Sequence, residues 1–92
     1  QKTAYAAKQI AALEGFSIPF TGPGFNEFVV RAPVAAKELL ARLAAERDIT
    51  GGLPLSRYFK DRQNDFLLCV TEMNSRADID ALVDGLAGVG TQ

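Results

Sequence analysis

The sequence predicts an α+β domain in which three helices pack mainly on one face of a small mixed or antiparallel sheet. Three segments carry apolar residues at helical spacing, and between them lie short runs rich in β-branched and aromatic residues. The chain has 92 residues, 48% of them hydrophobic, with no internal repeat and no linker. We therefore expect residues 1–92 to form a single domain around one core.

The first two predicted elements are a helix and a strand at the edge of the sheet. Residues 2–13 are rich in Ala and contain no Gly or Pro, so they are predicted to form a helix that ends at Gly15. Residues 16–20 form a short apolar segment in front of a Gly-Pro-Gly turn. Such a segment is typical of a short edge strand.

The middle of the chain predicts a strand, a second helix and a bent strand region. Residues 25–32 contain Phe-Val-Val, which favours a strand. Pro33 presets the backbone for a first helical turn, and residues 34–47 follow with apolar residues on one face. Residues 49–59 contain paired glycines and a proline, so they predict a bent or bulged strand.

The last part of the chain predicts a turn, a central strand and a third helix. Residues 60–65 are polar and turn-like, whereas residues 66–70 are a continuous apolar run of strand length. Ser75 precedes Asp78 by three residues in the manner of a capping box, which marks the start of the helix. We expect its glycine-containing end, from Gly88 onward, to fray.

Composition excludes several classes of function. Ten Lys and Arg against eleven Asp and Glu give a net charge of −1, so the charge typical of a nucleic-acid binder is missing. The chain has no His, the commonest transition-metal ligand, and no apolar run of the roughly 20 residues that span a membrane. A single Cys and no disulfide fit a reducing compartment, so we expect a cytoplasmic protein. The first residue is Gln rather than Met, so we expect that the chain has either lost its beginning or been excised from a longer one.

The residues by themselves indicate no self-sufficient active site. Asp61 and Asp65 lie in a turn that is expected to solvate them, and Cys69 lies in an apolar run without a His to activate it, so it is predicted to be a core residue. Arg57 stands beside two aromatic residues, where it could bind a carboxylate or a partner surface, or be simply solvated. The phenylalanines are assigned to the core and to a docking face: Phe16, Phe20, Phe25, Phe28, Phe59 and Phe66.

Three motifs in order carry a family resemblance. They are GFNEFVVR at residues 24–31, GGLPLSRYF at residues 51–59 and LLCVTE at residues 67–72. Together they resemble the C-terminal end of glycine dehydrogenase (decarboxylating) subunit 1, from the P-protein of the glycine cleavage system. The resemblance covers essentially the whole chain and implies the C-terminal small domain of a fold-type-I pyridoxal-phosphate enzyme. One departure is Lys60, where the family tends to carry Pro.

The resemblance also implies the partners and the chemistry of the assembled enzyme. A large cofactor-binding domain is expected upstream in the same chain, with glycine dehydrogenase subunit 2 and the lipoyl H-protein as further partners. The two-subunit enzyme of that family decarboxylates glycine with pyridoxal phosphate and passes the aminomethyl group to the lipoyl arm. Because the Schiff-base lysine belongs to subunit 2, we assign no catalytic, cofactor-binding or metal-binding residue to this chain. The isolated fragment is expected to be inactive and to bind no cofactor.

The polar residues of the matching motifs are the candidate site residues. They are candidates for a domain interface or for the rim of a shared active site: Asn26, Glu27, Arg57, Thr71 and Glu72. Structural hydrogen bonding is an equally open interpretation of each. Many fold-type-I small domains carry a carboxylate-binding Arg before their last helix, and the Thr-Glu at that place here argues against that role. The alternative function is a free-standing α+β module that dimerises or binds a small ligand.

Overall fold

Three helices form one layer of the domain. The computed structural model describes residues 2–21, 26–49, 52–70 and 74–90. The helices are α1 (Lys2–Ala11), α2 (Ala36–Arg47) and α3 (Arg76–Gly90). The helix predicted over residues 2–13 therefore ends two residues early, and α3 continues through Gly90. Fraying from Gly88 onward stays a prediction, and residues 91–92 lie outside the described residues.

A four-stranded antiparallel sheet forms the second layer. Its strands are β1 (Ser17–Thr21), β2 (Glu27–Arg31), β3 (Leu53–Pro54) and β4 (Asp65–Cys69), in the order β1-β2-β4-β3. Each neighbouring pair is antiparallel, which confirms the α+β class and makes the sheet antiparallel rather than mixed. As predicted, β1 lies at an edge and β4 lies inside the sheet.

The core lies between the helices and one face of the sheet. Phe28 is opposite Leu68 and Val30 is opposite Phe66 in the β2–β4 register, and these four side chains are buried. All three helices contribute to the same cluster, with α1 supplying Ala6 and Ile10, α2 supplying Ala36, Leu39, Leu40 and Leu43, and α3 supplying Ile79 and Leu86. Burying a side chain of this size contributes about 1.5–3 kcal/mol, so this face provides most of the stability.

Polar contacts define the start of α3 and join α3 to the other two helices. Ser75 Oγ accepts a hydrogen bond from the Asp78 backbone N–H at 3.1 Å, and the Asp78 carboxylate accepts one from the Ser75 N–H at 2.9 Å, which confirms the capping box. The Tyr5 hydroxyl of α1 donates to Asp80, and the pair Arg47 to Asp84 joins α2 to α3 at 3.0 Å.

The predicted bent strand region is shorter than expected. Among the described residues of this region, Leu53–Pro54 alone pairs with β4, and a 3₁₀ turn, Leu55–Arg57, follows. Gly52 is required here for close approach, because a Cβ atom at this position would overlap the backbone carbonyl oxygen of Leu67. The paired glycines were singled out correctly from the sequence but were attributed to a bend in the strand. The structure shows that Gly52 is required because β4 lies too close to leave room for a side chain.

Replacing Gly52 should separate β3 from the sheet. We expect Gly52→Ala to lower the free energy of unfolding by about 1–3 kcal/mol, since backbone atoms of β4 must move. The measurement is urea unfolding of the 92-residue chain. Gly88→Ala is the matched control, because an added Cβ there meets only the end of the Arg47 side chain and helix propensity favours Ala. Equal stability losses in the two variants would contradict this account of Gly52.

Candidate functional site

The face of the sheet opposite the helices has an apolar centre. Alternation along β2 and β4 places Val29 and Leu67 on this face, directly opposite each other. Phe20 of β1 pairs with Val29, and Leu53 of β3 pairs with Leu67, so one apolar residue comes from each strand. Phe20 is 49% exposed and the other three are half-buried. We call this surface the open sheet face. It consists of these four residues and of the residue pairs at its two ends, Arg31 with Asp65 and Glu27 with Cys69.

One end of the open sheet face is an ion cluster around Asp65. Arg31 donates from Nε and Nη2 to the two Asp65 carboxylate oxygens at 2.9 and 3.1 Å, and Arg62 Nη1 donates at 3.3 Å. The Arg62 guanidinium also lies 4.8 Å from the centre of the Phe20 ring. Asp65 is only 2% exposed, and the Arg31 hydrogen bonds hold the pKa of its carboxyl below the ordinary value although burial acts in the opposite direction.

The other end of the open sheet face carries Glu27 and Cys69. These residues are opposite each other in the register, and Cys69 Sγ lies 3.9 Å from a Glu27 carboxylate oxygen. Cys69 is exposed, so its prediction as a core residue was wrong. The continuous apolar run at residues 66–70 suggested burial on both sides, whereas the helices cover only one side of β4. Asn26 is exposed, and its carbonyl accepts a hydrogen bond from the Val70 N–H at 2.7 Å, which extends the ladder.

Arg57 lies outside this face, beside the first turn of α2. It shares a surface depression of about 420 Å³ with Lys37, Ser56 and Pro54. Arg57 and Lys37 are both exposed, and neither side chain makes an ion pair or a hydrogen bond with another described residue. Two cations and a hydroxyl around one depression can bind a carboxylate or a phosphate. Lys37 was not recognised from the sequence, because nothing local places α2 beside the turn after β3.

The five candidate residues do not form one described site. Asn26 and Glu27 lie where β2 begins and β4 ends, whereas Arg57 follows Pro54, which pairs with Phe66 near the start of β4. Four residue steps along β4 separate the two ends by about 13 Å. Thr71 and Glu72 lie outside the described residues. Phe16, Phe28 and Phe66 are in the core, Phe20 and Phe59 are exposed, and Phe25 is also outside the described residues.

Comparison with known proteins identifies the family. A protein from Sorangium cellulosum (strain So ce56), named probable glycine dehydrogenase (decarboxylating) subunit 1, is 45% identical over 87 residues, which are 95% of this chain. A protein of the same name from Desulfitobacterium hafniense (strain DSM 10664 / DCB-2) is 39% identical over 89 residues, 97% of the chain. The chain belongs to the glycine dehydrogenase (decarboxylating) subunit 1 family. These alignments cover 19% and 20% of the two relatives, so the chain spans about a fifth of their length.

The other comparisons are negative. No family model matches the chain, and no solved structure matches it. No helix in the described ranges is long and apolar enough to cross a bilayer.

Two cavities formed by the described residues lack the side chains of a pyridoxal-phosphate site. Such a site needs a lysine for the Schiff base and an acidic or basic partner for the pyridine nitrogen, together with a phosphate cradle. A cavity of about 410 Å³ between β4 and α3 is lined mainly by aliphatic side chains with Asn74 and Asp78, and no described lysine or arginine lines it. The depression that holds Lys37 has no described carboxylate or aromatic ring in its lining. We therefore assign no step of the chemistry to a cofactor on this chain.

The Asp65 cluster should make stability depend on pH. Its folded pKa lies below the unfolded value of about 3.9, so its contribution is fully present above that value and is lost as pH falls through the folded pKa. We expect Asp65→Asn to lower the free energy of unfolding at pH 7 by about 1–3 kcal/mol and to flatten its decline below about pH 5. Urea unfolding measures the free energy at pH 7 and its decline at lower pH. A range of roughly pH 2 to 7 covers the titration of carboxyl groups. Asp61→Asn, in the exposed turn, controls for the loss of one negative charge. If the free energy of unfolding of Asp65→Asn declined with falling pH as steeply as that of the wild type, Asp65 would not be the source of the pH dependence.

Proposed function

We propose that this chain is the small C-terminal domain of subunit 1 of the glycine cleavage system P-protein. In this role it supports pyridoxal-phosphate-dependent decarboxylation of glycine, with transfer of the aminomethyl group to the lipoyl H-protein. The observation that carries the proposal is the match of 95% of this chain to about a fifth of proteins named for this subunit. A two-layer domain with its own core is also a reasonable unit of such a longer protein.

The proposal assigns the chain a supporting role. Pyridoxal phosphate would be bound elsewhere in the assembled cytoplasmic enzyme, and the lack of its usual partners in the two cavities described above supports this. The partners would be the rest of the subunit 1 chain, subunit 2 and the H-protein. The fragment alone is expected to have no decarboxylase activity.

Arg57 is the residue on which we base a functional role within this domain. Its guanidinium is exposed, shares a depression with Lys37 and has no partner in the described residues. A guanidinium that pairs with no carboxylate among the described residues is available for a carboxylate of a neighbouring domain or subunit. Asn26 and Glu27, at the far end of the sheet, are proposed to belong to a domain interface, although the Asn26 carbonyl is already used in the ladder.

The alternative is a free-standing α+β module that dimerises. The observation in its favour is the apolar centre of the open sheet face, which a second copy could cover. The two functions differ in what precedes residue 1 in the gene. Sequencing the coding DNA upstream should show a continuous reading frame encoding the remaining part of a glycine dehydrogenase subunit 1. A start codon at the boundary would overturn the proposed function and favour the module.

Removal of the Arg57 side chain should impair the assembled enzyme. In the full subunit pair, we expect Arg57→Ala to lower glycine decarboxylation or subunit affinity by about tenfold, the usual effect of losing a charge-assisted hydrogen bond. Steady-state decarboxylation and a subunit titration measure the two quantities. Lys8→Ala, at an exposed position of α1, is the control for a lost surface charge, and Arg57→Lys tests whether charge alone suffices. Wild-type values for both quantities in Arg57→Ala would exclude a functional role.

A further inference from the structure

We propose that the open sheet face is the surface on which the rest of the subunit 1 chain docks. The inference rests on the proposed function and adds to it the face that is used. It makes Phe20, Val29, Leu53 and Leu67 the centre of an interdomain contact, with Cys69 and Glu27 at one margin and the Asp65 cluster at the other.

The composition of this face fits an interface. Its centre is apolar across all four strands, although helices of the described residues pack only against the opposite face. Its two ends are polar, with the Arg31 to Asp65 pair at one and Glu27 at the other. An apolar centre bounded by a polar rim is the usual arrangement of a protein interface.

The length of the relatives indicates the occupant. About four-fifths of the length of each matched relative lies outside the aligned segment, so a covalently connected partner is present in each of them. A tethered domain meets this face at an effective concentration of about millimolar, far above the usual concentration of a second copy. The same chain is therefore the favoured occupant over a dimer partner.

Thiol accessibility can report the docking directly. Cys69 is the only cysteine among these 92 residues and is exposed at the margin of the face, so within this domain alone it would react freely. In the full-length native subunit we expect its alkylation to be at least about tenfold slower than in the urea-unfolded chain, after correction for intrinsic thiol reactivity. Isotope-coded alkylation with mass spectrometry of the Cys69 peptide measures this rate even if other cysteines are present.

Two variants make the test specific to the face. In a Cys69→Ser background, Val29→Cys places a probe at the centre of the open sheet face, and Ala41→Cys places one on the exposed outer side of α2. We expect the Val29→Cys thiol to be protected as strongly as Cys69 is, and the Ala41→Cys thiol to react at nearly the unfolded rate. Val29→Cys is a small change at a half-buried site, and circular dichroism checks that both variants fold.

The possible results separate this inference from the proposed function. Protection of both face probes that is independent of protein concentration supports docking within the chain. Labelling of either face probe as fast as Ala41→Cys, in a subunit that supports glycine decarboxylation, overturns the inference and leaves the proposed function standing. Protection that appears only as protein concentration rises assigns the face to a second copy and also overturns the inference. An upstream reading frame that does not encode the rest of a subunit 1 would contradict both the proposed function and this inference.

Discussion

The pairing of β2 with β4 is the constraint on which the rest of this domain depends. The paired residues are 34 to 42 positions apart in sequence, so the contact is wholly non-local. Its register places Phe28 and Phe66 under the helices and Val29 and Leu67 on the opposite face. A slip by one residue would exchange those faces, exposing the core aromatics and burying charged side chains.

The same pairing produces the polar cluster at the end of the sheet. Arg31 is the last residue of β2 and Asp65 is the first of β4, so the register alone places them side by side. Arg62 then reaches the same carboxylate from the preceding turn. Asp65 is nearly inaccessible to water, and leaving it without both arginines would strand a buried charge. This cluster therefore favours the observed register over its neighbours as well as stabilising the fold.

The sequence predicted local structure well and the assembly of the site poorly. Periodicity, glycine positions and the Ser75 capping box located all three helices and the strands, because these signals act over a few residues. Pro33, predicted to lie in the first turn of the second helix, instead precedes α2, which begins at Ala36. Cys69 was misplaced because an apolar run does not reveal whether one or both faces of its strand are covered. Lys37 was missed because nothing local in the sequence places α2 beside the turn after β3. Arg57 was grouped with Asn26 because membership in a motif does not show which end of a sheet a residue occupies. The family resemblance, carried by three motifs in order, was confirmed by the relatives.

The position of Arg57 and the composition of the open sheet face point to two separate contacts. Arg57 and Lys37 lie beside the short β3 edge and the start of α2, whereas the apolar centre spans the sheet on the side away from the helices. Under the two proposals, the contact at Arg57 would be electrostatic and would weaken with salt, whereas the contact at the open sheet face would be apolar and largely insensitive to salt. A small domain held by an apolar face to its own chain would keep a fixed orientation. That orientation would leave the cationic depression available to a different partner, which is consistent with a domain that both completes subunit 1 and contacts another protein.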